Sequence, residues 1–202
     1  MSRYTGPKTR INRRYGMAIF PPNKAFERRS YPPGMHGQRL RRKVTDYGTG
    51  LQEKQKARIY YGLTEKQFRI VFERAKQTKG VIGEVFLSSL EMRLDSVAYS
   101  AGFSRTRRGA RQMVCHGHFF VNGHAVDIPS YQCNCGDVIS MRQVDSSRHI
   151  AMRNLEDTRY RAVPPWIQTD SSSLSCAVNR APRRDEIALA VKEQLIVEFY
   201  SR

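Results

Sequence analysis

The first 43 residues carry twelve Lys and Arg against a single acid, Glu27, which limits what this chain can become more than any other feature. A stretch so rich in one charge and so poor in aliphatics cannot bury enough apolar surface to offset its own ordering entropy. Gly6-Pro7, Pro21-Pro22 and Tyr31-Pro32-Pro33-Gly34-Met35-His36-Gly37 break it further. The expectation is an extended basic arm, disordered when free in water. Tyr4, Tyr15, Phe20, Phe26 and Tyr31 interleave with the cations, as a plain solubility tail would not require. Cations for phosphates and rings for bases point to a single-stranded or loop-rich nucleic acid as the surface that orders it.

The rest of the chain is more ordinary. Of 35 Lys and Arg and 18 Asp and Glu, the 159 residues after the arm hold 23 and 17, so most of the net +17 sits in about one-fifth of the length. Such asymmetry marks a basic arm on a globular body. No apolar run approaches the ~18 residues of a membrane span. No secretory signal follows Met1, so the chain is expected to be soluble and intracellular. Cys115, Cys133, Cys135 and Cys176 lack the regular spacing of a disulfide scaffold and are expected to remain thiols.

Along the body, Leu51 to Tyr61 reads as a helix closed by Gly62. Thr64-x-x-Gln67 opens a second, with Phe68, Val71, Phe72 and Ala75 on one buried stripe. A third is predicted to run unbroken from about Glu84 to Ala101. Ser104 is the expected N-cap of a short helix ending at Gly117. His118 to Ile128 reads as a hairpin about Asn122-Gly123, the pair that suits a type I′ turn. A strand pair is expected from Tyr131 onward with Val138–Met141. Asp145 to Thr158 is polar and mixed. Ser171–Ser173 separates two short strands, and Asp185 to Tyr200 suits a terminal helix docked on the body.

Arg105, Arg107, Arg108 and Arg111 fall at the start of the short helix, with no acid from Ser100 to Val126. Local ion pairs therefore do not account for the run. Guanidinium forks suit phosphate oxygens. Cys115-His116-Gly117-His118 with Cys133-x-Cys135 offers zinc-type ligands, but in no familiar finger spacing, and no metal is expected there. Asp95 in Arg93-Leu94-Asp95 resembles the catalytic string of pseudouridine synthases. Its position on an amphipathic helix is the plainer account. Walker, dinucleotide and nucleophile-elbow motifs are absent, so no catalytic residue is expected.

The strings Leu90-Glu91-Met92-Arg93-Leu94-Asp95, Gly102-Phe103-Ser104-Arg105, Ala110-Arg111-Gln112, His116-Gly117-His118, Val121-Asn122-Gly123, Val126-Asp127, Pro129-Ser130-Tyr131 and Gly136-Asp137 resemble a known module. It is the small RNA-binding domain named after small-subunit ribosomal protein four, also found in tyrosyl-tRNA synthetases, pseudouridine synthases and some stress proteins. Arg3-Tyr4-x-Gly6-Pro7, the 31–37 string, Glu53-Lys54-Gln55-Lys56, Tyr61-Gly62 and the terminal Glu193–Arg202 extend the resemblance to the whole bacterial-type ribosomal protein four family.

That resemblance implies an α+β fold: a helical domain (46–90, completed by 181–202), an inserted RNA-binding domain of two helices plus short antiparallel strands with an extension (91–180), and the arm (1–45). It implies a structural, non-enzymatic constituent of the small ribosomal subunit, cytoplasmic and bacterial, with an organellar ribosome as the alternative. Its partners would be a multi-helix junction in the 5′ domain of small-subunit rRNA, ribosomal protein five and other subunit proteins, and mRNA where it enters the subunit. Early binding would nucleate assembly, and the contact with ribosomal protein five would influence decoding accuracy. No cofactor, membrane or small-molecule substrate is implied. A stand-alone RNA-binding regulator or an RNA-modifying enzyme is the competing reading.

Residues expected at the rRNA surface are Arg3, Tyr4, Lys8, Arg10, Arg13, Arg14, Arg28, Arg29, Tyr31, His36, Arg41, Arg42 and Lys43 in the arm. Lys54, Lys56 and Arg58 are expected in the helical domain, and Arg105, Arg107, Arg108, Arg111, His116, His118 and Asn122 in the inserted one. Many family members hold zinc in the arm through two cysteine pairs. Here Thr9 and Asn12 stand at the first pair's positions, and no cysteine lies between Met17 and Arg28, so a zinc-free arm ordered by rRNA is expected.

Overall fold

A computed structural model describes residues 4–21, 23–38 and 45–201. The chain is α+β and divides into two compact units: residues 1–73 with 189–202, and the continuous insertion 74–188.

In the first unit the arm is more regular than its composition suggests. It carries α1 (Lys8–Tyr15) and α2 (Lys24–Arg28). Capping explains the departure, since a short helix needs its end groups satisfied more than it needs an apolar period. Pro7 precedes α1, Gly16 ends it in the left-handed region at φ 63°, and the Asn23 side chain accepts from the Phe26 N–H to start α2. Asn12, only 1% exposed, donates to the Phe20 carbonyl (2.9 Å) and accepts from the Phe20 N–H (3.0 Å). Ile11 and Ile19 are buried with it.

Helix α3 (Asp46–Tyr60) begins five residues before the predicted Leu51, because the Thr45 hydroxyl accepts from the Gly48 N–H and caps it. Helix α4 (Glu65–Gln77) starts as predicted at Thr64, whose hydroxyl accepts from the Gln67 N–H. Phe68, Phe72 and Ala75 are buried and Val71 is half-buried. The terminal helix α9 covers only Glu193–Ser201; a 3-10 turn (Arg184–Glu186) and extended chain replace its predicted first half. It packs along α3, where Gly50 admits it: a Cβ there would lie 3.3 Å from the Leu195 carbonyl oxygen. Ile196 is fully buried.

The second unit begins with α5 (Ile82–Glu91) and α6 (Leu94–Ser100), two helices where one was predicted. The break at Met92-Arg93 has a tertiary cause. The Met92 carbonyl accepts from the Cys133 N–H at 2.8 Å, and the Leu94 N–H donates to the Tyr131 carbonyl at 2.9 Å. Segment 131–133, expected to pair with Val138–Met141, pairs with this break instead. Arg93, extended at φ −71° and ψ 142°, turns its buried guanidinium onto Asp95.

Helix α7 (Arg107–Cys115) is capped by Thr106 rather than Ser104; the Thr106 hydroxyl accepts from the Gly109 N–H, while the Ser104 hydroxyl donates to the Thr106 carbonyl. Strands β1 (Phe119–Val121) and β2 (His124–Ala125) form the predicted hairpin, with Asn122 and Gly123 both at positive φ (51° and 82°) as a type I′ turn demands. Strands β3 (Val138–Met141), β4 (Ile167–Asp170) and β5 (Ser175–Val178) complete an antiparallel sheet in the order β2-β1-β3-β5-β4. The polar stretch between β3 and β4 is α8 (Asp145–Asp157), whose few buried residues include Ser147 and Ala151. Leu94, Val97, Phe103, Val114, Phe119, Ile139, Met141, Trp166 and Val178 form the core. Each such side chain contributes about 1.5–3 kcal/mol by leaving water.

Asp95→Asn leaves Arg93 charged and buried without its carboxylate. The expected loss is about 3–5 kcal/mol, seen as an earlier urea transition in the fluorescence of Trp166, the single tryptophan. An unshifted midpoint would show that the pair does not hold the break.

Candidate nucleic-acid interface

In the arm, Lys8, Arg10 and Arg14 are exposed on α1, and Arg28 and Arg29 lie exposed at the end of α2. Arg13 is turned inward. Its Nε donates to the Tyr31 carbonyl (3.0 Å), an Nη to the Pro32 carbonyl (3.4 Å), and its guanidinium lies 4.9 Å from the Tyr31 ring centre. It thereby holds the 31–37 turn, which presents His36 and Met35 to solvent. Tyr4 is exposed, donates to the Pro7 carbonyl and stacks on Phe20. Arg3, Arg41, Arg42 and Lys43 lie outside the described residues.

Lys54, Lys56 and Arg58 are engaged by carboxylates. Lys54 is 7% exposed, lies 2.6 Å from Glu65 and sits over the Phe199 ring. Lys56 meets Glu53 at 2.5 Å and Arg58 meets Glu65 at 3.6 Å. Burial alone would raise the Glu65 pKa, but hydrogen bonds from Lys54 and Tyr200 and the charges of Lys54 and Arg58 outweigh it and lower it. The carboxylate therefore remains ionised and keeps its cations.

The inserted unit gathers the second group of cations around α7. Arg107 reaches Glu91 at 2.9 Å and lies over the Tyr99 ring at 4.6 Å. Arg111 reaches Asp95 at 3.4 Å, and Arg105, 59% exposed, meets Asp157 at 2.8 Å. The acids missing from the local sequence thus arrive from α5, α6 and α8. Arg108 is half-buried on the same helix. At the other end of α7, His116 is exposed and its ring lies 6.1 Å from that of His118. His118 Nδ1 shares a hydrogen bond with the Ser147 hydroxyl at 2.8 Å. Asn122 is engaged internally, its amide donating to Asp137 (2.8 Å) and its side-chain carbonyl oxygen accepting from the Val138 N–H (2.9 Å).

The zinc-type residues separate. Cys133 is in the core, where burial pushes its thiol up to about 12, and Cys176 is buried and pushed up likewise. Cys135 is exposed. Among the described residues no three of His, Cys, Asp and Glu are placed to share a metal. Asp95 is enclosed by Arg93 and Arg111, the geometry of an internal ion pair. Sequence reading missed Asn23, whose amide donates to the Thr9 hydroxyl at 2.9 Å, and the donors Asn154 and Thr158 that hold the loop before α7. Capping-type residues in a polar stretch were the available signal.

Residues 3–91 match the "Ribosomal protein S4/S9 N-terminal domain" and residues 92–139 the "S4 domain". Over its whole length the chain is 56% identical to small ribosomal subunit protein uS4 of Opitutus terrae, 49% to that of Akkermansia muciniphila and 46% to that of Thermus thermophilus, each relative also being covered completely. A helical unit interrupted by an S4 domain defines the class, and at this identity the chain belongs to the family of small ribosomal subunit protein uS4.

Burial first, then the charges of His116 and Arg142, lowers the His118 pKa below 6.5. The unfolded chain therefore binds the proton more readily, so this side chain's contribution to stability is complete above about pH 6.5 and is lost as the pH falls through the lower folded-state value. His118→Gln is expected to flatten the pH dependence of the Trp166 unfolding transition as the pH falls below about 6.5. An unchanged slope would refute that assignment.

Proposed function

We propose that this protein is a non-catalytic, rRNA-binding constituent of the small ribosomal subunit in the cytoplasm, of the bacterial type. The single observation that carries the reading is full-length identity to uS4 proteins of three bacteria, covering the arm as well as the S4 domain. The exposed cations of α1 and α2 and the arginines around α7 supply the chemistry, since each phosphate neutralised releases condensed counterions.

The finer reading is a primary binder at a multi-helix junction of the 5′ domain that nucleates assembly. It also meets ribosomal protein five and influences decoding accuracy where mRNA enters. In this reading 1–45 acts as the arm, 46–90 with 181–202 as the helical domain, and 91–180 as the RNA-binding domain. The exposed Lys8, Arg10, Arg14, Arg28 and Arg29 are the readiest phosphate ligands. Arg105 exchanges the Asp157 carboxylate for a phosphate more easily than the buried Lys54 exchanges Glu65, because the Arg105 side chain is itself largely exposed. His36, His116 and His118 are further candidate contacts in this reading.

Binding to the isolated 5′ domain of small-subunit rRNA is expected to keep a large advantage over an unrelated RNA of equal length at physiological salt. With roughly ten phosphates contacted in duplex-like RNA, log Kd against log salt has a slope of magnitude near 9. Equal affinity for both RNAs would withdraw the assembly role, and a flat salt titration would withdraw phosphate binding.

The arm is proposed to be zinc-free. Support comes from Thr9 and Asn12, whose side chains are taken by Asn23 and Phe20. Elemental analysis of the purified protein is expected to find less than stoichiometric zinc; one zinc per chain would overturn this.

A further inference from the structure

The loop from Ala101 to Thr106 delivers the chain from α6 into α7; the N–H groups of Ala101, Gly102 and Phe103 close α6 and the Thr106 carbonyl opens α7. The carbonyls of Ala101 to Arg105 are instead taken by side chains from far downstream. The Thr169 hydroxyl donates to the Ala101 carbonyl (3.5 Å), the Thr158 hydroxyl to Gly102 (2.9 Å) and the Asn154 amide to Phe103 (2.9 Å). Arg161 completes the series. One Nη donates to the carbonyls of Ser104 (3.3 Å) and Tyr99 (3.0 Å), and the other to that of Arg105 (3.1 Å). Its Cζ also lies 4.1 Å from the centre of the Tyr99 ring, over which Arg107 lies at 4.6 Å.

We propose that Arg161 is a positioning residue for RNA binding, and that the segment 154–161, beyond the 92–139 matched to the S4 domain, is part of the RNA-binding apparatus because it sets the loop carrying Arg105 and the first turn of α7. The inference rests on the rRNA-binding reading above. Only a guanidinium suits this position. Its planar fork reaches three carbonyls while stacking on a ring, whereas an ammonium is a point charge without that geometry. Held at both ends of the loop, the backbone that carries Arg105 and the first turn of α7 is pre-placed, and a binding surface held in place beforehand loses less on association.

The experiment is a double-mutant cycle on the full chain, with Kd measured against the isolated 5′ domain of small-subunit rRNA. Arg161→Ala and Arg161→Lys are each expected to weaken binding roughly tenfold, and the loss is expected to shrink below about twofold in an Arg105→Ala/Arg108→Ala background, since coupled groups are not additive. Hydrogen exchange of the amides from Phe103 to Ala110 is expected to accelerate in Arg161→Ala, while those of β3 and β5 hold. An equal loss in both backgrounds, or wild-type behaviour of the Lys variant, would overturn the positioning role in favour of direct contact or general stability. Unchanged binding by Arg161→Ala would overturn it outright. If Arg105→Ala/Arg108→Ala itself binds as wild type, the RNA-facing role of those arginines falls first, and the inference with it.

Discussion

The second unit depends on the Asp95 carboxylate, which is almost wholly buried and held by two arginines. Taking such charges out of water costs several kcal/mol per ion, and only close geometry with further hydrogen bonds offsets it. Arg93 meets both oxygens of Asp95 at 3.0 and 2.8 Å and also donates to the Pro129 carbonyl at 3.3 Å; Arg111 adds a third approach. One carboxylate thereby ties the Arg93 break between α5 and α6 to α7 through Arg111, while Arg93 also reaches the Pro129 carbonyl of the segment that pairs with the break. The helix that carries the cations meets this pair through Arg111 and packs Ala110, Met113 and Val114 into the core.

The arginines around α7 are graded by their carboxylate partners. Arg107 and Arg111 pair with buried acids and are themselves 13% and 24% exposed, whereas Arg105 is 59% exposed beside a partly exposed Asp157. An ion pair in water is worth little and a buried one is costly to break. Under the proposed reading, the edge nearest Arg105 is therefore the part that rearranges for a phosphate, and the inner arginines remain scaffold. The same grading separates the exposed cations of α1 and α2 from Lys54, which is closed in by Glu65, Phe199 and Tyr200.

Much of the local architecture was legible because its causes are local. Asn122-Gly123 forms its turn because those residues tolerate positive φ, and Thr64 opens α4 because a hydroxyl satisfies an orphan N–H. The stripe Phe68, Phe72 and Ala75 is buried because spacing alone puts it on one face. Helix α8 was not legible: a polar stretch with Ser147 and Ala151 as its buried residues has no clear period, and its role is to carry Asn154 and Thr158 to the loop before α7. The arm helices escaped notice for a related reason, since their order comes from caps and the Asn12 side chain rather than an apolar stripe.

The amino-acid sequence by itself determined the charge asymmetry, the turns, most helix positions, and family membership through strings that run the length of the chain. These are properties of short windows, or of composition, and need no partner in space. Tertiary structure decided where Arg93 breaks a helix that its neighbours favour, and that segment 131–133 pairs with the break. It also decided which arginines are neutralised: the acids beside Arg105, Arg107 and Arg111 are supplied by α8, α5 and α6, and only folding brings those elements together. Ion pairing depends on distance in space, and no window of sequence records that distance.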